Sequence, residues 1–257
     1  EQWWYALSVL NKAVKEYVNA RAGDELRKEK IPFILFGDSI TEFWTGKEYG
    51  ESGRAQYAGV PAIFHELFDH TIYDTLALGV SGDQTQHLLY RLVNNDELHP
   101  AYASDPYAVF VVLIGTNNLG AGMTALDAVR GIMTVVEYIM KNIKGKLILM
   151  EVLPRGDQER IERLCPPRCD AENKPLKSFM PAVSKVNKAI RKRANDFSSV
   201  YGERFVLLNC GGLFTGGGSG EEVNIELMGD RLHPSAEGYN RLGKCILDCV
   251  SQGYCSH

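Results

Sequence analysis

Five runs rich in branched and aromatic apolar residues recur along the chain: PFILFGDS (32–39), TIYDTLAL (71–78), AVFVVLIG (108–115), KLILMEVL (146–153) and RFVLLNCG (204–211). Several are close to continuously apolar rather than alternating, the pattern of strands buried on both faces. Between them lie stretches with apolar residues three and four apart, at 83–96, 124–143, 179–197 and 235–251, which predict amphipathic helices. The first twenty residues, with Trp3, Trp4, Leu7, Leu10, Val14 and Val18, predict a further amphipathic helix over about 2–21. Strand and helix in alternation require a parallel sheet covered by helices on both faces. Right-handed crossovers wind it into a three-layer α/β/α sandwich, and five strands fit the flavodoxin-like order 2-1-3-4-5. No repeat, low-complexity block or linker interrupts the pattern. Residues 1–257 are therefore expected to form one domain with the N-terminal helix appended.

In such sheets, ligands sit beyond the carboxyl ends of the strands, and reactive residue types do follow the strand ends here. The first run ends at Gly37-Asp38-Ser39, the second leads into LGVSGDQTQ with Gly79 and Gly82, and the third ends in IGTNN with Asn117 and Asn118. Beyond the fifth comes GDRLHPS, with Asp230 and His233. A serine hydroxyl is a poor nucleophile unless a base takes its proton, and a histidine can do so near neutral pH. Asp230, three residues before His233, can reach the ring's other nitrogen in a tight turn and fix its tautomer. Attack on an ester carbonyl creates an oxyanion, which needs donors already in place. The backbone N–H groups of Ser39 and Gly82 and the side-chain amide of Asn117 are the candidates, and glycine at 82 permits close backbone approach. Asp83 is expected to hold this loop by hydrogen bonds and His87 to pack on its own helix. Phe43, Trp44 and Asn118 are candidates for the substrate pocket, with core packing the alternative for the two aromatics.

Taken singly, Ser39 could be a helix N-cap, GTNN a polar turn and DRLHPS a loop whose serine caps the last helix. Four such sites at strand ends, in one order and with complementary roles, reverse that balance. The blocks FGDSIT, VSGDQT, GTNN and DRLHP resemble those of the SGNH, or GDSL-type, serine esterases and lipases, and the resemblance spans roughly residues 32 to 250. Within that family, LGVSGDQTQHLLYRL, GTNN and VLPRG are most similar to the catalytic subunits of intracellular platelet-activating-factor acetylhydrolase and their microbial relatives. The resemblance implies a flavodoxin-like fold, no metal, no cofactor, and hydrolysis of small or short acyl esters. It carries over Ser39 as nucleophile, His233 as base, Asp230 as its partner, and Ser39, Gly82 and Asn117 as the oxyanion hole. The chain departs from the family pattern at Ile40, where the family name has leucine. The N-terminal helix, the CPPRC loop, the TGGGSG segment and the cysteines are also untypical of the acetylhydrolase branch.

The expected activity is hydrolysis of carboxylic esters, acetyl above all, through an acyl-serine. The alcohol part is a carbohydrate, as in acetylxylan-type esterases, or a lipid or small alcohol. Lysophospholipase or thioesterase action on the same site is an alternative, and a catalytically silent binding protein or a structural secreted domain is a further one. A net charge of −4 without a long basic run argues against nucleic acid and anionic membrane surfaces as partners. No apolar run approaches the roughly eighteen residues of a membrane span, no signal peptide is visible, and no feature sets an oligomeric state. The chain begins at Glu1, and a leader removed by processing would leave no trace. Six cysteines, at 165, 169, 210, 245, 249 and 255, predict two or three disulfides and an oxidising compartment, secretion above all, with the cytoplasm the alternative. Cys245 and Cys249, four apart on a helix, are expected to pair elsewhere than with each other. A zinc site is disfavoured, because no histidine stands at finger-like spacing and His65, His70, His87 and His99 share no metal-binding spacing. TGGGSG lacks the Lys-Ser/Thr of a phosphate-binding loop and reads as a flexible rim segment.

Overall fold

The computed structural model of the chain describes residues 1–216 and 222–252. The strands β1 (Ile31–Gly37), β2 (Tyr73–Gly79), β3 (Val109–Leu113), β4 (Lys146–Met150) and β5 (Phe205–Leu208) form one five-stranded sheet in the order β2-β1-β3-β4-β5. Every pairing in it is parallel, which is the expected flavodoxin-like arrangement. The longer helices are α1 (Gln2–Gly23), α2 (Val60–Phe68), α3 (Thr85–Asn94), α4 (Ala125–Asn142), α5 (Met180–Tyr201) and α6 (Ala236–Gln252).

Side chains alternate across the sheet and divide the core in two. Ile34, Phe36, Phe110 and Val112 point into a cluster completed by α1, α3, α4 and α5. Their neighbours Phe33, Leu35, Val109 and Val111 point the other way, into a cluster closed by α2 and α6. Both faces of the strands are therefore covered, which is why their sequences are almost unbroken in apolar residues.

The N-terminal helix belongs to the first of these layers. Ala6, Leu7, Leu10, Val14 and Tyr17 are buried in the main core, and each large apolar side chain so placed contributes about 1.5–3 kcal/mol. Its far end is tied to the second strand, where Arg21 and, from the short helix Glu25–Glu29 that follows, Arg27 both pair with Asp74 and the Tyr17 hydroxyl donates to the Asp74 carbonyl. Helix α2 is an addition to the sequence-based expectation, although Val60, Phe64 and Phe68 stand four apart and form its buried face.

Two disulfides are placed among the described residues, Cys165–Cys169 in the proline-rich loop and Cys210–Cys245 joining the end of β5 to α6. Cys245 thus pairs away from Cys249, as expected. Cys255 and residues 217–220 of the TGGGSG segment lie outside the described residues.

Candidate active site

The end of β1 explains the Gly-Asp-Ser sequence. After Gly37 the chain turns into a one-turn helix, Ser39–Glu42, with Asp38 as its N-cap: one carboxyl oxygen, Oδ1, accepts the Ile40 N–H at 3.0 Å. This helix sits directly on the paired ends of β1 and β2, where Gly37 stands opposite Gly79. A Cβ on Gly79 would collide with the backbone of Asp38 and Glu42, so the second strand must end in glycine for the turn to seat. Ser39 opens the helix with its N–H free of intrahelical partners.

Across from it, the turn before α6 brings Asp230 and His233 together. The Ser39 hydroxyl lies 2.8 Å from His233 Nε2, and Nδ1 of the same ring lies 2.6 Å from Asp230 Oδ2. With the carboxylate accepting from Nδ1–H, Nε2 is left as the acceptor for the serine hydroxyl. Asp230 Oδ1 takes the N–H groups of His233 at 2.7 Å and Leu232 at 3.0 Å, and the Tyr57 hydroxyl donates to Oδ2 at 3.2 Å. Partial burial opposes the charge on Asp230, but the hydrogen bond and charge of His233 and the two backbone N–H groups outweigh it. Its pKa falls below the usual carboxylate range. Burial and the neighbouring Asp230 push the Tyr57 phenol up to about 12, so it remains a donor. The turn places Arg231 at a φ of 59°, an uncommon left-handed conformation for a residue with a side chain.

The loops after β2 and β3 meet beside Ser39. Gly82 adopts a φ of 79°, which glycine reaches at no steric cost. Its neighbour Ser81 is clamped to the serine helix: Glu42 Oε2 accepts from the Ser81 N–H at 2.7 Å and from its hydroxyl at 2.6 Å. The other oxygen of Glu42 accepts the Gly50 N–H at 2.7 Å. Asn117 Nδ2 donates to the Asp83 carbonyl at 3.0 Å, which fixes the amide plane and leaves its second hydrogen available.

Asp83 is the hub of a buried charge cluster. Its Oδ2 lies 3.1 Å from Arg91 Nη1, and Arg91 Nη2 lies 3.4 Å from Glu97 Oε2. All three residues are 0% exposed. Arg91 also donates to the carbonyls of Gly37 and Leu78 beneath the strand ends, and the Trp3 indole N–H donates to Asp83 Oδ1 at 2.7 Å. Burial raises the pKa of Asp83 against the attraction of Arg91 and Trp3. Burial likewise pushes Glu97 up to about 7 and Asp38, whose Oδ2 has no hydrogen-bond partner, up to about 7.

The segment after β4 braces both halves. Arg155 Nη1 donates to the Thr116 carbonyl at 2.7 Å, just before Asn117. Gly156 N–H donates to the Arg231 carbonyl at 2.8 Å, inside the Asp230–His233 turn.

Ser39, Asp230 and His233 thus come together as the sequence predicts, with Gly82 and Asn117 on the loops beside them. The three pocket candidates do not line an open cleft. Phe43 is 1% exposed and packs behind the His233 ring at 5.0 Å between centroids. Trp44 is a core residue among Phe64, Phe68 and Tyr239, because the 3-10 turn Phe43–Thr45 that follows the serine helix points it at α2 and α6. Asn118 is buried, exchanging hydrogen bonds with the Thr85 N–H and hydroxyl. Asp83 and His87 behave as expected, the latter accepting the Gln84 N–H in a capping box. Glu42, Tyr57, Arg155 and Trp3 were not legible as site residues, since each acts through a partner remote in the sequence, and Arg91 and Glu97 were not because nothing local marks their charges as buried. No group of His, Cys, Asp and Glu among the described residues is arranged to hold a metal ion.

Residues 35–241 match the family model described as the GDSL-like Lipase/Acylhydrolase family. Over 229 residues the chain is 28% identical to the human platelet-activating factor acetylhydrolase IB subunit alpha2, covering 88% of this chain and 79% of that protein. A GDSL-like lipase from Bacteroides thetaiotaomicron is similar in structure with a TM-score of 0.61 at 19% identity, covering 95% of this chain and 100% of the other. An acetylxylan esterase from Geobacillus stearothermophilus is similar with a TM-score of 0.55 at 14% identity, covering 86% and 94%. At these identities the two structures speak for the fold.

Proposed function

Since the chain belongs to the GDSL-like lipase/acylhydrolase family and is an ester hydrolase, we propose that Ser39, His233 and Asp230 are its catalytic triad. The observation behind this reading is the continuous chain from the Ser39 hydroxyl to His233 at 2.8 Å and on to Asp230 at 2.6 Å. Ser39 Oγ attacks the ester carbonyl carbon while Nε2 of His233 takes its proton. The tetrahedral intermediate expels the alcohol, which receives that proton from the imidazolium, and an acyl-serine remains. Water then attacks the acyl-serine with His233 again as base, and the acid leaves with Ser39 regenerated. Asp230 holds the ring in the tautomer this requires. The oxyanion takes the N–H groups of Ser39 and Gly82 and the second amide hydrogen of Asn117, donors fixed before charge develops.

The acyl group in this reading is short, acetyl above all. Two similar proteins support this by their names, an acetylhydrolase subunit and an acetylxylan esterase. A small ester of an alcohol or carbohydrate is the substrate class. The two disulfides support an oxidising compartment.

Hydrolysis of p-nitrophenyl acetate, butyrate and octanoate by the wild type and Ser39→Ala tests the reading. Turnover that falls with chain length and drops by at least ~10³-fold in the variant is expected, with His233→Ala about as impaired because the residues act as a unit. Near-wild-type turnover in Ser39→Ala would remove the nucleophile, and a preference for octanoate would remove the short-acyl assignment.

A further inference from the structure

We propose that Trp3, carried on the N-terminal helix α1, is a positioning residue for the oxyanion loop: its indole N–H holds the Asp83 carboxylate, and Asp83 in turn holds Asn117. This rests on the reading of Asn117 as an oxyanion donor given above.

Asp83 is fully buried and needs a donor on each carboxyl oxygen. Arg91 faces Oδ2 at 3.1 Å, but that guanidinium is shared with Glu97 and with the carbonyls of Gly37 and Leu78. Those three contacts all use Nη2, and Nε and Nη1 make no hydrogen bond, so none from Arg91 reaches Oδ1. The donor there is the Trp3 indole, at 2.7 Å across eighty residues of sequence, and the nearest alternative is the ring of His87 with Nδ1 at 3.9 Å. That nitrogen already accepts the Gln84 N–H at 3.1 Å, so it presents a lone pair rather than a hydrogen. Loss of the indole N–H therefore leaves a buried carboxylate oxygen unpaired in the residue whose carbonyl sets the plane of the Asn117 amide.

The first turns of α1 also frame the opposite flank of the same loop. A Cβ on Gly50 would touch Ala6 and Val9 of α1, and Gly50 N–H reaches Glu42, which clamps Ser81. The Tyr49 hydroxyl lies over Gly82. Helix α1 thus bears on residues 81–83 from both sides.

A role confined to docking the helix is distinguishable, because the Trp3 ring also packs on His87 and Tyr90, each at 5.7 Å between centroids. Phenylalanine removes the N–H and keeps an aromatic ring there, though a smaller one, and the Asn117→Ala background and the melting curves separate the lost packing from the lost hydrogen bond. The experiment measures kcat and KM of Trp3→Phe for p-nitrophenyl acetate, in the wild-type chain and in Asn117→Ala, with thermal melting of each. A drop in kcat of ~10-fold or more is expected from a misplaced donor, with KM within about 2-fold. In the Asn117→Ala background the same substitution should cost less than about 2-fold, since the donor it positions is gone. An unchanged kcat overturns the proposal, as does an equal loss in both backgrounds, which general destabilisation produces. Undiminished kcat in Asn117→Ala alone would instead sink the oxyanion reading beneath it. An impaired Asn117→Ala beside a normal Trp3→Phe sinks only the role of α1.

Discussion

Replacing Glu42 by glutamine is the sharpest perturbation of the site that leaves every proposed reacting group in place. The Glu42 carboxylate is 3% exposed and accepts three hydrogen bonds, from Gly50 N–H at 2.7 Å, Ser81 N–H at 2.7 Å and the Ser81 hydroxyl at 2.6 Å. An amide of the same shape has one acceptor oxygen and one NH2. If the oxygen faces Ser81, the NH2 confronts the Gly50 N–H and one charge-assisted bond becomes a donor–donor contact. If it faces Gly50, the Ser81 hydroxyl can rotate to accept, but the Ser81 N–H cannot. Either way one bond to a charged group is lost, about 1.5–3 kcal/mol, with a buried donor left unpaired. At about 2–4 °C per kcal/mol for a chain of this size, Tm should fall by roughly 3–12 °C. Ser81 adjoins Gly82, so kcat for p-nitrophenyl acetate should fall with KM nearly unchanged. Thermal melting and steady-state kinetics of Glu42→Gln read both effects. A Tm within about 1 °C of wild type would refute the clamp, and a lowered Tm with unaltered kcat would refute its bearing on the oxyanion loop.

The buried Asp38 carboxyl, pushed from 3.8 up to about 7 by desolvation, makes stability depend on pH. Its folded pKa lies above the unfolded one, so the contribution is complete below about pH 4 and is lost as pH rises through about 7, a swing of about 4 kcal/mol. Asp38→Asn should therefore gain on the wild type in Tm between pH 5 and pH 8, and a difference constant across that range would count against a protonated Asp38. The Cys210–Cys245 bridge closes a segment of sequence separation 35, for which chain entropy gives about 4 kcal/mol. The Cys210→Ala/Cys245→Ala double variant should melt well below the oxidised wild type, and equal Tm values would show that the bridge adds nothing.

The sheet was readable because strands buried on both faces cannot hide their composition, and Phe33 through Phe36 feed both cores in turn. Helix α2 escaped notice although Val60, Phe64 and Phe68 mark its buried face, since nine residues give periodicity little room. Ser39, Asp230 and His233, the proposed triad, were legible for a different reason: few residue types can do the proposed chemistry, Ser39 stands at a strand end, and Asp230 and His233 share one short turn before the last helix. The supporting groups were not. Glu42 meets Ser81 39 residues away, and Trp3 meets Asp83 80 residues away. Nothing in the local pattern of either residue distinguishes it from an ordinary helix position. Phe43 and Trp44 show the converse, where adjacency to the serine suggested a pocket and the short helix turned both inward, one onto His233 and one into the core.

These supporting groups explain why a site made of loops can be rigid. The loops around Ser39 are fastened by buried carboxyls, two of which take donors from another element. Asp38 caps the serine helix, Glu42 joins that helix to the β2 loop and the Gly50 turn, and Asp83 joins the β2 loop to α1 and α3. Carboxylates suit this task because each accepts several N–H groups at once, and an oxyanion hole is made of N–H groups that must point at the reacting atom rather than at one another. The arrangement concentrates negative charge in a desolvated region, which is costly. The raised pKa values of Asp38, Asp83 and Glu97 are the visible form of that cost. Asp230 goes the other way, its charge held by His233 and by two backbone N–H groups. The acid hydrogen-bonded to the imidazole is thus kept ionised, which is the condition the proposed mechanism sets for stabilising an imidazolium as it forms.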